Sequence, residues 1–271
     1  METIYHYDGS FAGLLTTLHI IRESGQSPAD ITRTLPRQGG LFCHVPHVQT
    51  DGERSARLLE KISGRISPRA LGNVYHAFLS ETSDVEMAIC RYLELGWREG
   101  KHLDGRLADE RVLAVHRAAR KVRGEAYRMK GFVRFRQVPE GFYYAPLEPE
   151  CRVLPLIAPH FATRFADQSW VIHDIARGEG IIHDACRRQW LIVPLELACR
   201  PQYSEGEKLF STLWQRYFTG VAIAERLNPV LQRSRLPLKH RKYLVEMEAE
   251  AEGEPSAAAP PAQISIPGFS P

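Results

Sequence analysis

The stretch that decides the fold lies at residues 131–147, which read Gly131-Phe132-Val133-Arg134-Phe135-Arg136-Gln137-Val138-Pro139-Glu140-Gly141-Phe142-Tyr143-Tyr144-Ala145-Pro146-Leu147. Before it, apolar residues recur with helical spacing, whereas within it they alternate as in a β-strand. Pro139, Glu140 and Gly141 form a turn that returns the chain as the second arm of a hairpin. A three-residue loop puts Tyr144 directly opposite Arg136.

The residues before this hairpin predict helices, over about 50–129. Ser67-Pro68 supplies a helix cap and a first-turn proline. The last helix is predicted from about Leu107 to Met129. Its apolar stripe consists of Val112, Val115, Ala119, Val122 and Ala126, and its opposite face carries Arg117, Arg120, Lys121 and Arg128.

The residues after the hairpin predict a helix over 153–165 and a second hairpin with arms at 170–175 and 181–185. We therefore expect an α+β fold, in which a helical N-terminal half packs on an antiparallel sheet of two hairpins and helices return at the C-terminus. A single domain is predicted over residues 1–248, with its hairpin part at about 130–200. The Ala/Pro/Glu-rich segment 249–271 is expected to be a disordered tail.

The composition is that of an ordinary folded protein. The chain has 271 residues, 44% of them hydrophobic, which excludes a wholly disordered chain. No apolar run is long enough to cross a membrane, and the N-terminus does not have the pattern of a secretion signal. Five scattered cysteines without a CxxC motif argue against disulfides and a zinc ribbon. We expect a cytoplasmic protein with no metal or cofactor.

The charge is concentrated in segments, although the formal net charge is only +3. Between Arg111 and Arg136 the basic residues are Arg111, Arg117, Arg120, Lys121, Arg123, Arg128, Lys130, Arg134 and Arg136, and Glu125 is the only acidic one. A second basic segment lies at 231–243. Basic clusters on a fixed scaffold favour polyanion binding, because each neutralised phosphate releases counterions. The alternative is a solvated helix face.

Three groups of residues are candidates for chemistry. In the second hairpin, a two-residue loop would place Asp174 opposite His183 and His173 opposite Asp184, either for acid–base work or as ordinary cross-strand charge pairs. In the helix before it, His160 and Arg164 share a face at i, i+4 and could grip a phosphate; the alternative is a solvated polar edge.

The first hairpin is the third candidate. Phe132, Arg134, Arg136 and Tyr144 would expose guanidinium and aromatic groups together, as single-strand binding sheets do. If this face packs under a helix instead, its aromatic residues belong to the core and its arginines reach out at the rim.

The sequence resembles the DUF4130 family over nearly everything from residue 1 to about 248. The resemblance rests on Phe132-Val133-Arg134-Phe135, Gly141-Phe142-Tyr143-Tyr144-Ala145, Glu148-Pro149, Val153-Leu154-Pro155-Leu156-Ile157-Ala158-Pro159-His160-Phe161, Arg164-Phe165, Trp170-Val171-Ile172-His173-Asp174 with Arg177, Leu213-Trp214, Tyr217-Phe218 and Glu225-Arg226-Leu227-Asn228-Pro229. The family's signature positions matched here include His160, Arg164, Asp174 and Arg177. No catalytic residues are carried over with them.

The resemblance implies a protein of DNA repair or DNA metabolism that is associated with a radical-SAM partner. In fused relatives a similar segment precedes a domain of the uracil-DNA-glycosylase superfamily. Because this chain ends in a tail, we expect any glycosylase-like activity to belong to a separate partner. Within the tail, Gln263, Ile266 and Phe269 resemble the peptide by which bacterial repair proteins dock on the sliding clamp.

Three functions stay open at this point. The first is a DNA-binding accessory or processing protein, whose phosphate-binding residues would be Arg117, Arg120, Lys121, Arg128, Arg134, Arg136, Tyr144, Arg164 and Arg177. The second is a hydrolase or lyase on a nucleic-acid or nucleotide substrate, with Asp174 or His160 as general base. The third is a protein–protein scaffold. The enzyme hypothesis requires His160, Arg164, Asp174 and Arg177 to meet in one concave site.

Overall fold

The structure is a computed structural model that describes residues 2–34, 43–197, 201–226 and 228–247. The predicted tail lies outside these residues, and so do Gln263, Ile266 and Phe269, which resemble a clamp-binding peptide. The chain forms two compact units, Met1–Gly124 and Glu125–Pro271.

The first unit begins with a small parallel sheet. Strand β1 (Glu2–Tyr7) leads through a turn into helix α1 (Phe11–Ser24), which returns the chain to strand β2 (Asp30–Thr32), parallel to β1. Two short strands, β3 (Cys43–His44) and β4 (His47–Val48), pair with β1 on its other side. The strand–turn–helix start follows from the sequence, because the Ser10 hydroxyl accepts a hydrogen bond from the Gly13 amide and caps α1.

Helices make up the rest of the first unit. They are α2 (Gly52–Lys61), a π-helical turn (Ile62–Ile66), α3 (Pro68–Phe78), α4 (Val85–Glu99), a 3-10 turn (Gly100–Gly105) and the first part of α5 (Glu110–Phe132). The Ser67 hydroxyl caps α3 by accepting from the Ala70 amide, as its sequence predicts. Val74, Ile89 and Val115 are fully buried, so α3, α4 and α5 each contribute apolar side chains to the core of this unit.

A buried polar network crosses the core of the first unit. The Asp104 carboxylate accepts hydrogen bonds from the Tyr92 hydroxyl at 2.7 Å and the Asn73 amide at 3.0 Å, and the Nε2 atom of His116 lies 2.7 Å from it. Burial opposes ionisation of Asp104, but the hydrogen bonds from Tyr92 and His116 outweigh burial and hold its pKa below the ordinary value. The network therefore stabilises an ionised Asp104 between α3, α4 and α5.

Helix α5 is amphipathic, as the sequence predicts, and extends three residues beyond the predicted end. Its apolar stripe, which consists of Val112, Val115, Ala119, Val122 and Ala126, is buried. The opposite face exposes Arg117, Arg120, Lys121 and Arg128. The segregation of charge onto one face of this helix is thus confirmed.

The second unit is built around a five-stranded sheet in the order β5-β6-β7-β8-β9. Its elements are β5 (Arg136–Gln137), β6 (Tyr143–Leu147), α6 (Leu154–Arg164), β7 (Trp170–Asp174), β8 (Glu179–Asp184) and β9 (Gln189–Pro194). In the first hairpin Arg136 lies opposite Tyr144, which confirms the predicted register. Its first arm is shorter than predicted, because α5 continues to Phe132.

The α+β class is confirmed, but the prediction of a purely antiparallel sheet is wrong at its centre. Strands β6 and β7 pair in parallel, with Tyr143 beside Trp170 and Leu147 beside Asp174. The two strands are joined by α6, and a helical crossover brings the second strand back in the same direction as the first. The two predicted hairpins are therefore joined by a parallel pair.

The predicted register of the second hairpin is also wrong. Strands β7 and β8 are joined by a four-residue turn at 175–178, so Asp174 lies opposite Glu179 and His183 lies opposite Trp170. Gly178 takes a φ of +61°, which favours glycine, and the Arg177 amide donates to Asp174. No direct His–Asp pair forms across this hairpin in the described register.

The C-terminal helices of the second unit are α7 (Glu205–Val221), α8 (Pro229–Arg235) and α9 (Leu238–Arg241), with 3-10 turns at Ala224–Arg226 and Val245–Met247. The Ser204 hydroxyl caps α7 by accepting from the Glu207 amide, and α7 has no buried residue within the described chain. Its exposed apolar side chains are Leu209, Phe210, Leu213, Trp214, Tyr217, Phe218 and Val221. No helix in the described ranges combines the length and apolar composition needed to cross a membrane.

Candidate nucleic-acid interface

A cavity of about 560 Å³ opens in the second unit between α5, α6 and the first strands of the sheet. Its lining residues are Lys130, Val133, Arg134, Phe135, Tyr143, His160, Phe161, Arg164, Phe165, Gln168 and Trp170. This volume falls within the range of small-molecule and cofactor sites. The cavity joins two of the groups that the sequence singles out, the His160–Arg164 helix and the first hairpin.

Helix α6 supplies one wall of the cavity. His160 and Arg164 lie one turn apart on it and are exposed, whereas Phe161 and Phe165 follow on the adjacent face. The rings of Phe161 and Phe165 are nearly parallel, at 7° and 6.3 Å between centroids. The predicted placement of His160 and Arg164 on one face of a helix is therefore confirmed.

The floor of the cavity is aromatic. Phe135 packs edge-on against Phe161 and Phe165, at 5.5 and 5.4 Å between centroids. Phe161 and Trp170 are buried, while Phe135, Phe165 and Tyr143 are partly exposed. The outer rings thus offer aromatic surface to a ligand while the inner ones hold them in place.

His183 supports the aromatic floor of the cavity. Its ring stacks on that of Trp170, at 4.9 Å and 9°, and its Nδ1 atom lies 2.9 Å from the Gln168 carbonyl oxygen. Because a carbonyl only accepts, Nδ1 carries the proton. His183 therefore positions Trp170 and the turn that presents Gln168.

The rim of the cavity is electropositive. Lys130 and Arg164 are exposed and form no ion pair within the described ranges, and no carboxylate is among the described lining residues. Partial burial, with the nearby charges of Lys130 and Arg164, lowers the pKa of His160. His160 is therefore mostly neutral at pH 7.

The arginines of the first hairpin do not form the free cationic surface that the sequence predicts. The Arg134 guanidinium makes a two-pronged ion pair with Glu246, at 2.7 and 3.2 Å, and also donates to the Gly131 carbonyl oxygen. Arg136 is partly buried, with its guanidinium over the ring of Tyr203 at 4.7 Å. Glu246 lies 112 residues from Arg134 in the sequence, so no local sequence pattern indicates this ion pair.

Tyr144 is also misassigned to the exposed surface. Its side chain is 1% exposed and belongs to a small core with Val138, Phe142 and Val171. The Tyr144 hydroxyl lies 2.8 Å from Nδ1 of His173, and burial lowers the pKa of that histidine. The outward aromatic position of this hairpin is taken by Tyr143 instead.

Asp174 and Arg177 lie away from the cavity. Asp174 is fully buried, and its carboxylate pairs with the Arg177 guanidinium at 3.0 Å. Arg177 also donates to the carbonyl oxygens of Pro149 and Glu150. Burial raises the pKa of Asp174, against the effect of Arg177. The pair ties the β7–β8 turn to the loop after β6, which is a structural role.

The four signature residues therefore separate into two pairs. His160 and Arg164 line the cavity, but Asp174 and Arg177 are not among its described lining residues. Trp170, which lines the cavity, begins β7, and Asp174 ends it. The two residues are therefore about 13 Å apart along the extended strand. The convergence that a four-residue catalytic site requires does not occur.

Lys130 and Gln168 are not among the predicted binding residues, although Lys130 belongs to the predicted basic segment, and the rings of Phe135, Tyr143 and Phe165 are not among them either. Lys130 lies at the end of the basic helix, where the change from helix to strand directs it toward α6. Gln168 follows α6 in a polar turn with no pattern of its own. In the described residues, no group of three or more His, Cys, Asp and Glu side chains could hold a metal ion.

A family model described as a domain of unknown function, DUF4130, matches residues 83–246 of the chain. The matched segment contains every described lining residue of the cavity, as well as Asp174 and Arg177. Searches of curated proteins and of solved structures found no match to this chain. Since the matched segment covers more than half of the sequence, the chain belongs to the DUF4130 family.

Proposed function

We propose that this protein binds nucleic acid through the cavity of its second unit and acts in DNA repair or DNA metabolism. One observation carries the proposal: the cavity wall combines aromatic rings with Lys130 and Arg164, and its described lining has no carboxylate. Cations neutralise phosphates, and aromatic rings accept bases. An anion without a planar group would gain nothing from Phe135 and Phe165.

An exposed arginine of α5 supports the proposal. Arg128, which belongs to the same unit as the cavity, is exposed and forms no ion pair with described residues. Contacts of this kind bind the backbone without reading sequence. They suit a ligand that carries a series of phosphates.

A catalytic role is less well supported. Asp174 is buried and paired with Arg177, and neither residue lines the cavity. His160 is the remaining candidate for a general base among the described lining residues, and it has no carboxylate there to orient it. We therefore favour binding over hydrolysis or lyase chemistry.

The test is a titration of fluorescently labelled single-stranded DNA of about 20 nucleotides with the full-length protein, followed by anisotropy. At low salt we expect saturable binding with a Kd in the micromolar range or below. A peptide nucleic acid of the same sequence, which has an uncharged backbone, is the control and should bind much more weakly. No change in anisotropy up to about 100 µM protein would contradict the proposal.

A second role, protein binding, is favoured by α7. Its apolar side chains lie exposed along the helix, with Phe210 at 66% and Tyr217 at 59%. Exposed apolar surface of this extent is typical of a protein-binding site. We propose that a protein partner covers it, and the radical-SAM protein implied by the family resemblance is the partner to test.

The partner proposal predicts that a purified radical-SAM protein from the same source co-elutes with this chain in size-exclusion chromatography. Tyr217→Glu should abolish co-elution, because it places a charge in the apolar contact. Thr212→Glu adds the same charge to an exposed polar position of α7 and should have little effect. Separate elution of the two wild-type proteins would reject this partner.

A further inference from the structure

The aromatic part of the cavity has a shape that phosphate binding alone does not require. Phe135, Phe165 and Tyr143 expose part of their rings to the cavity, and the buried rings of Phe161 and Trp170 support them. A double helix keeps its bases stacked inside, so its phosphates could reach the rim but its bases could not reach these rings. The rings therefore fit a planar group that is already unstacked.

The polar groups of the cavity match the remaining parts of a nucleotide. Gln168 is exposed, and its side-chain amide forms no hydrogen bond within the described part of the chain. An amide has both donors and an acceptor, as the edge of a base does. Lys130 and Arg164 lie on the same lining and provide charge for a phosphate. The cavity thus offers contacts for the base ring, the base edge and the phosphate of a nucleotide.

A second cavity of about 530 Å³ adjoins the first. The two share Arg134, Phe135 and Tyr143 as lining residues, and the second adds Phe210 and Trp214 from α7. Arg134, which lines both cavities, is paired with Glu246, so its charge is compensated. Aromatic rings thus continue from one cavity into the next.

We infer that the first cavity holds an unpaired nucleotide, so that the ligand is single-stranded nucleic acid or an unpaired end, not an intact duplex. This inference rests on the proposed function and adds a requirement for free bases. In the first cavity a base stacks on Phe135 and Phe165 with its edge at Gln168 and its phosphate near Lys130 and Arg164.

The test compares three labelled ligands of equal length with the wild-type protein: a single strand of DNA, the same strand with every base replaced by an abasic linker, and the blunt duplex. All three carry phosphates, and the single strand alone offers unpaired bases. We expect the single strand to bind at least about tenfold more tightly than the other two, the usual effect of stacking one base or more.

Variants then locate the base site. Phe165→Ala and Gln168→Ala should each weaken binding of the single strand about tenfold and leave binding of the abasic strand unchanged. Tyr127→Ala is the control, since Tyr127 is 80% exposed on α5 and does not line either cavity. The comparison of ligands uses wild-type protein, so it holds even if a variant folds poorly.

The outcomes separate the inference from the proposed function. Equal binding of the three ligands would overturn the requirement for unpaired bases and leave nucleic-acid binding in place. No binding of any ligand would overturn the proposed function, and the inference with it. Preference for the single strand that Phe165→Ala and Gln168→Ala both leave unchanged would overturn the placement of the base in this cavity.

Discussion

A Lys130→Glu/Arg164→Glu variant is expected to bind single-stranded DNA at least about 100-fold more weakly than the wild-type protein. Both side chains are exposed on the cavity lining and form no ion pair within the described residues. A hydrogen bond to a charged group contributes about 1.5–3 kcal/mol, so two such contacts account for a 100-fold effect, and reversal adds repulsion. Anisotropy at fixed salt measures the change.

The matched control is Lys61→Glu/Lys101→Glu, which changes the net charge equally at exposed positions that do not line the cavity. We expect the control to lose only the small, non-local part of the attraction. If both double variants lose affinity equally, overall charge governs binding and the cavity has no special part in it.

Asp104→Ala is expected to lower the free energy of unfolding by about 3–5 kcal/mol. Removal of this buried carboxylate leaves the donors of Tyr92, Asn73 and His116 without their acceptor. Urea unfolding, followed by circular dichroism, measures the change. Glu60→Ala is the control, because Glu60 is exposed on α2 and should be nearly neutral.

The effect of Asp104 should also depend on pH. Because its pKa is lower in the folded protein than the ordinary 3.8, its stabilising contribution is complete above about pH 4 and is lost as the pH falls through the folded value. The difference between Asp104→Ala and wild type should therefore shrink in acid. A constant difference, or one below about 1 kcal/mol at pH 7, would show that the network contributes little.

Local patterns in the sequence predict much of the fold. The Ser67 cap, the buried stripe of α5 and the pairing of Arg136 with Tyr144 all depend on residues a few positions apart, and all are found in the structure. The parallel pairing of β6 with β7 depends instead on the path of the chain through α6. Spacing within a strand does not indicate which neighbour it has.

The candidate site could be predicted only in part, because local spacing indicates some of its contacts and not those between distant residues. His160 and Arg164 lie one turn apart, so their proximity follows from helical geometry. The ion pair of Arg134 with Glu246 joins residues 112 positions apart in the sequence. The burial of Tyr144 depends on which residues pack over the sheet. Exposure and ion pairing are tertiary properties, which alternation along a strand cannot predict.

The dependence of binding on salt tests the central claim most directly. A plot of log association constant against log salt concentration, measured with single-stranded DNA, should fall steeply, by about 0.7 for each phosphate neutralised. The neutralising variant Lys130→Gln/Arg164→Gln should reduce the steepness by about 1.4, the share of two contacts. A flat plot for the wild-type protein, or an equal slope in the variant, would contradict phosphate binding at this cavity.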